Sequence, residues 1–309
     1  MQIVLTVAQV VVPIFVAVGF GMLAKRRRMM TPAHLEGLRQ FVMKFGLPCL
    51  VFNSCMMADM GLESVSSMAL VLAMLFVTTL LGFRWRKKRF PYTNLPVLFC
   101  AHETGMIGIP LFIILFGAEQ AYRMGVLDLV QAVIAYPVLA IVSTDTGENP
   151  SPAQILKNVF SSPLMIVCML GLALNFSGAA AWLNSVGIGA ILTASTSFLT
   201  QPISALMLFS VGYNFSLAKG SRKTVLEICA IYLGIAVGSC LIMQGVLSLL
   251  PNVDSLTRWT LVLYSALPAS YLAPGLGRSQ EDFTVASGVC SVLTVTCLTA
   301  FCVIAAFVA

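Results

Sequence analysis

The sequence predicts an all-α membrane protein. It would have ten transmembrane helices in two inverted five-helix repeats, with broken, crossing helices 4 and 9 and both termini outside. Three observations lead there. Charged residues are 10% of the 309 and hydrophobic residues 59%, with a mean hydropathy of +0.94. A soluble domain carries roughly 25% charged residues, so lipid must be the solvent for most of this chain. Basic residues gather in alternate loops. Finally, two apolar segments, one late in each half, are interrupted by dense glycine and proline. These are Glu103-Thr104-Gly105-Met106-Ile107-Gly108-Ile109-Pro110 and Leu267-Pro268-Ala269-Ser270-Tyr271-Leu272-Ala273-Pro274-Gly275.

A spanning helix needs about 20 apolar residues, which leaves room for roughly ten spans joined by short loops. The apolar runs place them at 2–24, 36–57, 65–84, 95–117, 121–143, 155–176, 188–217, 224–249, 257–276 and 284–308. The first run, Ile3 to Ala24, exceeds the apolar core of a signal peptide. Its basic cluster Lys25-Arg26-Arg27-Arg28 follows rather than precedes it, as in a retained helix with its amino end outside. The seventh span is overlong and is expected to begin with an interfacial piece. With the amino end outside, the inner loops carry Lys25 to Arg28 and Arg39, then Arg84 and Arg86 to Arg89, then Lys157, then Lys219, Arg222 and Lys223, and Arg278. The outer loops carry Arg123 and Arg258, and Lys44 falls inside a span. This is the bias of the positive-inside rule. The net charge of +6 therefore reflects topology and anionic headgroups rather than nucleic acid.

Residues 1–143 form the first expected repeat, 144–154 a cytoplasmic linker and 155–309 the second repeat. Pro13 and Gly21 in span 1 match Pro163 and Gly171 in span 6, and Pro48 in span 2 matches Pro202 in span 7. Val97-Leu98-Phe99 leads into the first break and Val262-Leu263-Tyr264 into the second. An odd number of spans per half makes the second half enter from the opposite side, the inverted repeat common in secondary transporters.

Unwound backbone inside a membrane is tolerated only where protein or a water-filled cavity satisfies it. A break also exposes a half-helix N-terminus, which is partly positive and suits a carboxylate. Glu103 lies about eight residues into its span, roughly 12 Å deep at 1.5 Å per residue. An ionised acid at a helix centre costs about 2.5–3.5 kcal/mol on insertion scales. It is the first candidate for coupling to a proton or sodium ion, the alternative being a static acid paired with Lys44 or His102. Lys44 either snorkels to the inner interface or pairs with a substrate carboxylate or an internal acid. Asp128, with Gln131 three residues on, is its candidate partner. Asn53, Asn214, Thr104, Ser265, Ser270 and Tyr271 are buried hydrogen-bonding candidates, for substrate or for neighbouring helices. Gly105, Gly108, Pro110, Pro268, Pro274 and Gly275 permit the breaks. The nine cysteines all lie in apolar segments without CxxC or Cys/His spacing, and read as small packing residues rather than disulfide or metal ligands. His102-Glu103 begins like HExxH, but Met106 stands where the second histidine is required, and GxSxG, Walker A and GxGxxG motifs are absent. No enzyme, organic cofactor or metal site is expected.

Phe45-Gly46-Leu47-Pro48-Cys49-Leu50-Val51-Phe52 resembles the "LPALLF" segment of the auxin efflux carrier family. Glu103 to Leu111 resembles its "NTGFLGIPL", the most specific of the matches. Pro163-Leu164 through Gly171-Leu172 resembles its sixth-span "NPLILALLLGLLL", Ser210 to Leu217 its "LGxSL", and Ser265 to Ala269 its "AALPPA". The resemblance runs over nearly the whole chain and implies a ten-helix carrier of small organic acids such as malate, malonate or auxin. The short stretch Ser143 to Pro152 resembles the compact microbial type. The family usually has Asn where this chain has Glu103, and often a further Asn where it has Ser270, Tyr271 and Leu272. The resemblance also suggests a homodimer.

The expected function is a secondary active, alternating-access carrier of a small organic anion, a mono- or dicarboxylate, in the plasma (inner) membrane. Thr104, Gly105, Pro110, Pro268, Ser270, Tyr271 and Asn53 would bind substrate, with Glu103, Lys44 and Asp128 coupling to H+ or Na+. The expected partners are the organic acid and the lipid bilayer, with no nucleic acid. The alternatives are a monovalent cation/proton exchanger using Glu103 and Asp128, and a ligand sensor that moves nothing.

Overall fold

The computed structural model describes residues 2–58, 61–144, 163–215, 222–251 and 253–308, with 151, 153–154, 157 and 160–161. Most of the expected linker 144–154 lies outside the described residues, as do Ser216, Leu217 and Lys219. The described chain is helical, with one isolated antiparallel bridge between His102 and Ala269. Helix α1 is Gln2–Arg26, α2 Pro32–Phe41, α3 Leu47–Met56, α4 Leu62–Lys88, α5 Leu95–Cys100, α6 Ile109–Phe116 and α7 Tyr122–Thr144. Then come α8 Pro163–Phe176, α9 Ala179–Ser185, α10 Ile188–Thr200, α11 Ile203–Asn214, α12 Arg222–Leu247, α13 Ser255–Ala266 and α14 Gln280–Val308. Among the described residues, Leu62–Lys88, Ala118–Val142, Ile188–Asn214, Arg222–Leu247 and Gln280–Val308 are long and apolar enough to cross a membrane. The chain is thus a multi-pass integral membrane protein.

Local chemistry explains where these helices start, bend and stop. Thr31 caps α2: its hydroxyl accepts from the His34 N–H at 3.4 Å, and its own N–H donates to His34 Nδ1 at 3.5 Å. A π turn, Val42–Gly46, joins α2 to α3. A second, Thr104–Gly108, leads into α6. Both precede a proline in the next helix's first turn, Pro48 and Pro110, where a missing N–H does least harm. Helices α8 and α9 meet at 77°. Gly178 and Gly187 flank α9 with φ of 74° and 82°, a backbone that glycine adopts without strain.

The second break departs from expectation. Helix α13 stops at Ala266, because Leu267 precedes a proline and is extended (φ −66°, ψ 146°). Between it and α14 the helical structure is limited to the single 3₁₀ turn Pro274–Leu276. Pro268 and Pro274 stand too close together for an α-helical half to form between them. The two broken spans are therefore unequal. The first re-forms a true helix and the second does not.

Two helix pairs approach so closely that only glycine fits. In the α1–α11 pair, a Cβ on Gly21 would fall on the Phe209 carbonyl oxygen and one on Gly212 on the Val18 carbonyl oxygen. In the α3–α8 pair, a Cβ on Gly171 would lie 2.8 Å from the Phe52 carbonyl oxygen, and Cys55 and Cys168 meet there at 3.3 Å between sulfurs. Small residues serve this purpose in membranes, where dispersion contacts rather than water expulsion hold helices together. Arg123 of α7 grips the N-terminus of α13. It reaches Asp254 Oδ2 at 2.8 Å and Oδ1 at 3.4 Å, and Thr257 Oγ1 at 2.6 Å. Asp254 also caps α13, accepting from the Thr257 N–H at 2.7 Å.

These contacts make two predictions. Gly21→Ala should lower the thermal stability of the detergent-purified protein by at least about 1–3 kcal/mol through overpacking. Gly19→Ala, with nothing within 4 Å of its Cβ, should raise stability by up to about 1 kcal/mol. Equal melting temperatures for the two would exclude the close-contact account. Asp254→Ala should cost about 0.5–2 kcal/mol at neutral pH by loss of the cap. Partial burial raises the Asp254 pKa, but Thr257 and Arg123 outweigh it and hold the carboxyl below its ordinary value of 3.8. A depressed folded-state pKa means that its contribution is complete above 3.8 and is lost as pH falls through the lower folded value. Melting curves should thus separate wild type from Asp254→Ala equally at pH 6 and pH 8, and converge only in strong acid.

Candidate functional site

The two broken stretches meet and pair with each other. The Glu103 N–H donates to the Pro268 carbonyl at 2.8 Å, and the Ser270 N–H donates to the Ala101 carbonyl at 3.1 Å. His102 and Ala269 thereby form an antiparallel bridge. The bond returns through a side chain as well: the Tyr271 N–H donates to Glu103 Oε2 at 2.8 Å. Asn94, just before α5, donates to the carbonyls of Ala273 at 2.9 Å and Asp282 at 3.2 Å, which ties the far end of the second stretch. Backbone released by one break thus satisfies backbone released by the other.

What the pairing leaves over is met by α7, α12 and α13. Gln131 Oε1 accepts from the His102 N–H at 3.0 Å and from the Tyr264 hydroxyl at 3.0 Å. Its Nε2 donates to the His102 carbonyl at 3.1 Å and to Asp128 Oδ1 at 2.7 Å. The Tyr232 hydroxyl donates to the Leu267 carbonyl at 3.1 Å and lies 2.8 Å from His102 Nδ1. Nδ1 is 3.3 Å from the same carbonyl. One hydroxyl proton cannot serve both partners, so His102 is assigned its proton on Nδ1, donating towards the tyrosine oxygen and the carbonyl. The His102 ring also packs on Tyr264 with centroids 4.8 Å apart.

A cavity of about 200 Å³ opens beside this crossing. Of the residues that the sequence singles out, Glu103, Thr104, Gly105, Asp128, Ser270 and Tyr271 line it. Pro110 and Pro268 are buried and do not line it; Pro268 pairs with Glu103 through its carbonyl, and Pro110 stands in the first turn of α6. Gly108 brings the chain close, since a Cβ there would lie 2.7 Å from Leu267 Cδ1. Four candidates lie elsewhere, and one of them, Asn214, lines a second cavity. Asn53 Oδ1 accepts from the Thr193 hydroxyl at 3.1 Å, a bond between α3 and α10. Lys44 is exposed on the π turn and is not among the cavity walls, a position that suits a snorkelling lysine. Ser265 donates to the Leu261 carbonyl of its own helix at 2.8 Å.

Sequence reasoning missed Gln131, His102, Tyr232 and Tyr264 as a set. Their one sequence signal is polar or amphipathic side chains inside apolar runs, and that signal does not identify a partner. Gln131→Leu would strand the His102 N–H and carbonyl together with Asp128 and the Tyr264 hydroxyl, at about 1–3 kcal/mol for each buried group left unpaired. Its melting temperature should fall well below that of Asn53→Leu, which loses a single bond. Equal melting of the two would show that Gln131 does not hold the crossing.

The family described as "Membrane transport protein" matches residues 6–306, and no curated protein matches. This is a family of transporters and not of enzymes, and the match takes in both breaks, both glycine-packed helix pairs and the cavity. The chain belongs to the auxin efflux carrier family of membrane transporters.

Proposed function

We propose that the protein is a secondary active carrier of a small organic anion, a mono- or dicarboxylate, working by alternating access in the plasma membrane. The observation that carries this reading is the crossing itself. Two interrupted spans meet at a cavity, and the re-formed helix Thr104–Phe116 begins in the cavity wall with Thr104 and Gly105. Its partly positive N-terminus suits a carboxylate. Because the second span forms no α-helix after its break, the favourable dipole comes from one side. Thr104, Ser270 and Tyr271 supply hydrogen-bonding groups around it.

The proposed topology is ten spans with both ends outside, in inverted repeats of 1–143 and 155–309 joined by the linker 144–154. The glycine contacts support it. Gly21 and Gly171, matched by spacing, pack respectively on α11 and α3, the helices that carry expected spans 7 and 2. Each repeat's first span thus leans on the other repeat's second. We propose H+ or Na+ as the coupling ion, with Glu103 and Asp128 as its ligands. Homodimer formation rests on the family alone.

A second reading has an observation of its own. Two acids, Glu103 and Asp128, line one cavity, which also suits a monovalent cation/proton exchanger. Purified protein in proteoliposomes tests both. The carrier reading expects uptake of labelled malonate that quickens under an inward proton or sodium gradient. The exchanger reading expects labelled sodium flux without malonate. Glu103→Gln keeps an acceptor for the Tyr271 N–H and so should fold. It should lose at least tenfold of the gradient-driven rate and its pH dependence. Unchanged rate and pH dependence would remove Glu103 from coupling.

A further inference from the structure

The cavity at the crossing adjoins a larger one of about 650 Å³. The larger space is bounded by Lys25 at the end of α1, by Pro32 and Leu35 at the start of α2, and by Asn214 and Phe215 at the end of α11. Its mouth is therefore on the side of the basic loops. Three residues, Arg39, Met106 and Tyr271, line both cavities and form the neck between them.

Two of the three are fixed by the crossing. Met106 is buried within the π turn. The Tyr271 N–H donates to Glu103 Oε2 at 2.8 Å, and its hydroxyl pairs with Thr294 at 2.6 Å. Arg39 differs. It comes from α2, its side chain is 36% exposed, and Nε meets Glu36 one turn earlier at 3.4 Å. The Glu36 side chain is itself 50% exposed, so the pair is of the weak, water-screened kind. A solute can take that partner's place. Lys25, the other cation of the larger cavity, already donates to the Phe215 carbonyl at 3.0 Å. In the inner cavity, among the described residues, Arg39 is the one permanently charged cation, facing Glu103 and Asp128.

We propose that Arg39 is the anion-recognition residue of the neck. Its guanidinium receives the carboxylate of a small organic acid arriving from the basic side, in place of Glu36, and presents it to the crossing. The planar fork makes two parallel N–H···O bonds to a carboxylate, which an ammonium cannot reproduce. It also offsets the two acids that would otherwise repel an anion from the inner cavity. The onward passage rests on the carrier reading, while the binding step does not.

The test uses malonate as probe, with uncharged malonamide as control, on purified full-length protein in lipid-free detergent. Melting temperature against ligand concentration gives the affinity, and proteoliposome uptake of labelled malonate runs in parallel. Arg39→Gln should melt like wild type without ligand and bind malonate at least tenfold more weakly. Arg39→Lys should recover part of that loss, Lys87→Gln should match wild type, and malonamide should shift none of them. Arg39→Gln binding malonate as wild type does would overturn the assignment, as would a wild type indifferent to malonate. If Arg39→Gln does not fold, Arg39→Lys decides: weakened binding supports the fork, and unchanged binding refutes it. Wild type that binds through Arg39 but moves nothing leaves the site standing and removes the carrier reading. Wild type that transports while Arg39→Gln binds normally does the reverse.

Discussion

A peptide group inside an apolar segment has no water to turn to, and here a handful of such groups govern the architecture. Breaking the span between Cys100 and Thr104 releases N–H and C=O groups that would each cost a kcal/mol or more unpaired. The second break, between Ala266 and Pro274, releases more. Neither can stand alone. Pairing Glu103 with Pro268 and Ser270 with Ala101 settles most of the debt between the two, and it fixes how α5, α6 and α13 must cross. Gln131, Tyr232 and Tyr264 close what is left. The cavity exists because these requirements hold backbone apart from helix packing at one place.

The surrounding helices are held by a different force. Where α1 meets α11 and α3 meets α8, contact is between backbones at glycine. Such contacts are short-ranged and unforgiving of added volume. The crossing is held by directional bonds, several of them made by side chains. The molecule thus combines helix pairs packed backbone to backbone with a centre held by hydrogen bonds.

Much of this was legible in the sequence, for reasons that can be named. Proline and glycine act locally, so Gly105 to Pro110 and Pro268 to Gly275 mark the breaks without reference to anything distant. Glu103 stands out because an acid in an apolar run is costly wherever it points. The matched Gly21 and Gly171 are visible as spacing. What was not legible depends on partners far along the chain. Nothing local says that Gln131 will embrace the backbone of His102, that Tyr232 will reach Leu267, or that Arg39, which reads as one more inner-loop charge, will stand at a neck. The place of Lys44 within a span left both snorkelling and chemistry open, and it is exposed, as either would allow. The absence of an α-helix straight after the second break follows from the spacing of Pro268 and Pro274, a steric count that the periodicity of apolar residues conceals.

The hydrogen bonds of the two acids also decide their denticity. Glu103 accepts from the Tyr271 N–H through Oε2, and Asp128 accepts from the Gln131 amide through Oδ1. That amide cannot flip, because the reversed orientation would set donor against donor at the His102 N–H and acceptor against acceptor at its carbonyl. Each carboxylate therefore presents to a guest at least one oxygen already engaged by the protein, since Met106 also bonds Glu103 and Thr104 also bonds Asp128. Chelation through both oxygens, as large divalent cations prefer, would have to share that engaged oxygen with its N–H donor. A guest needing a single contact point, such as a proton, has fewer of these bonds to displace.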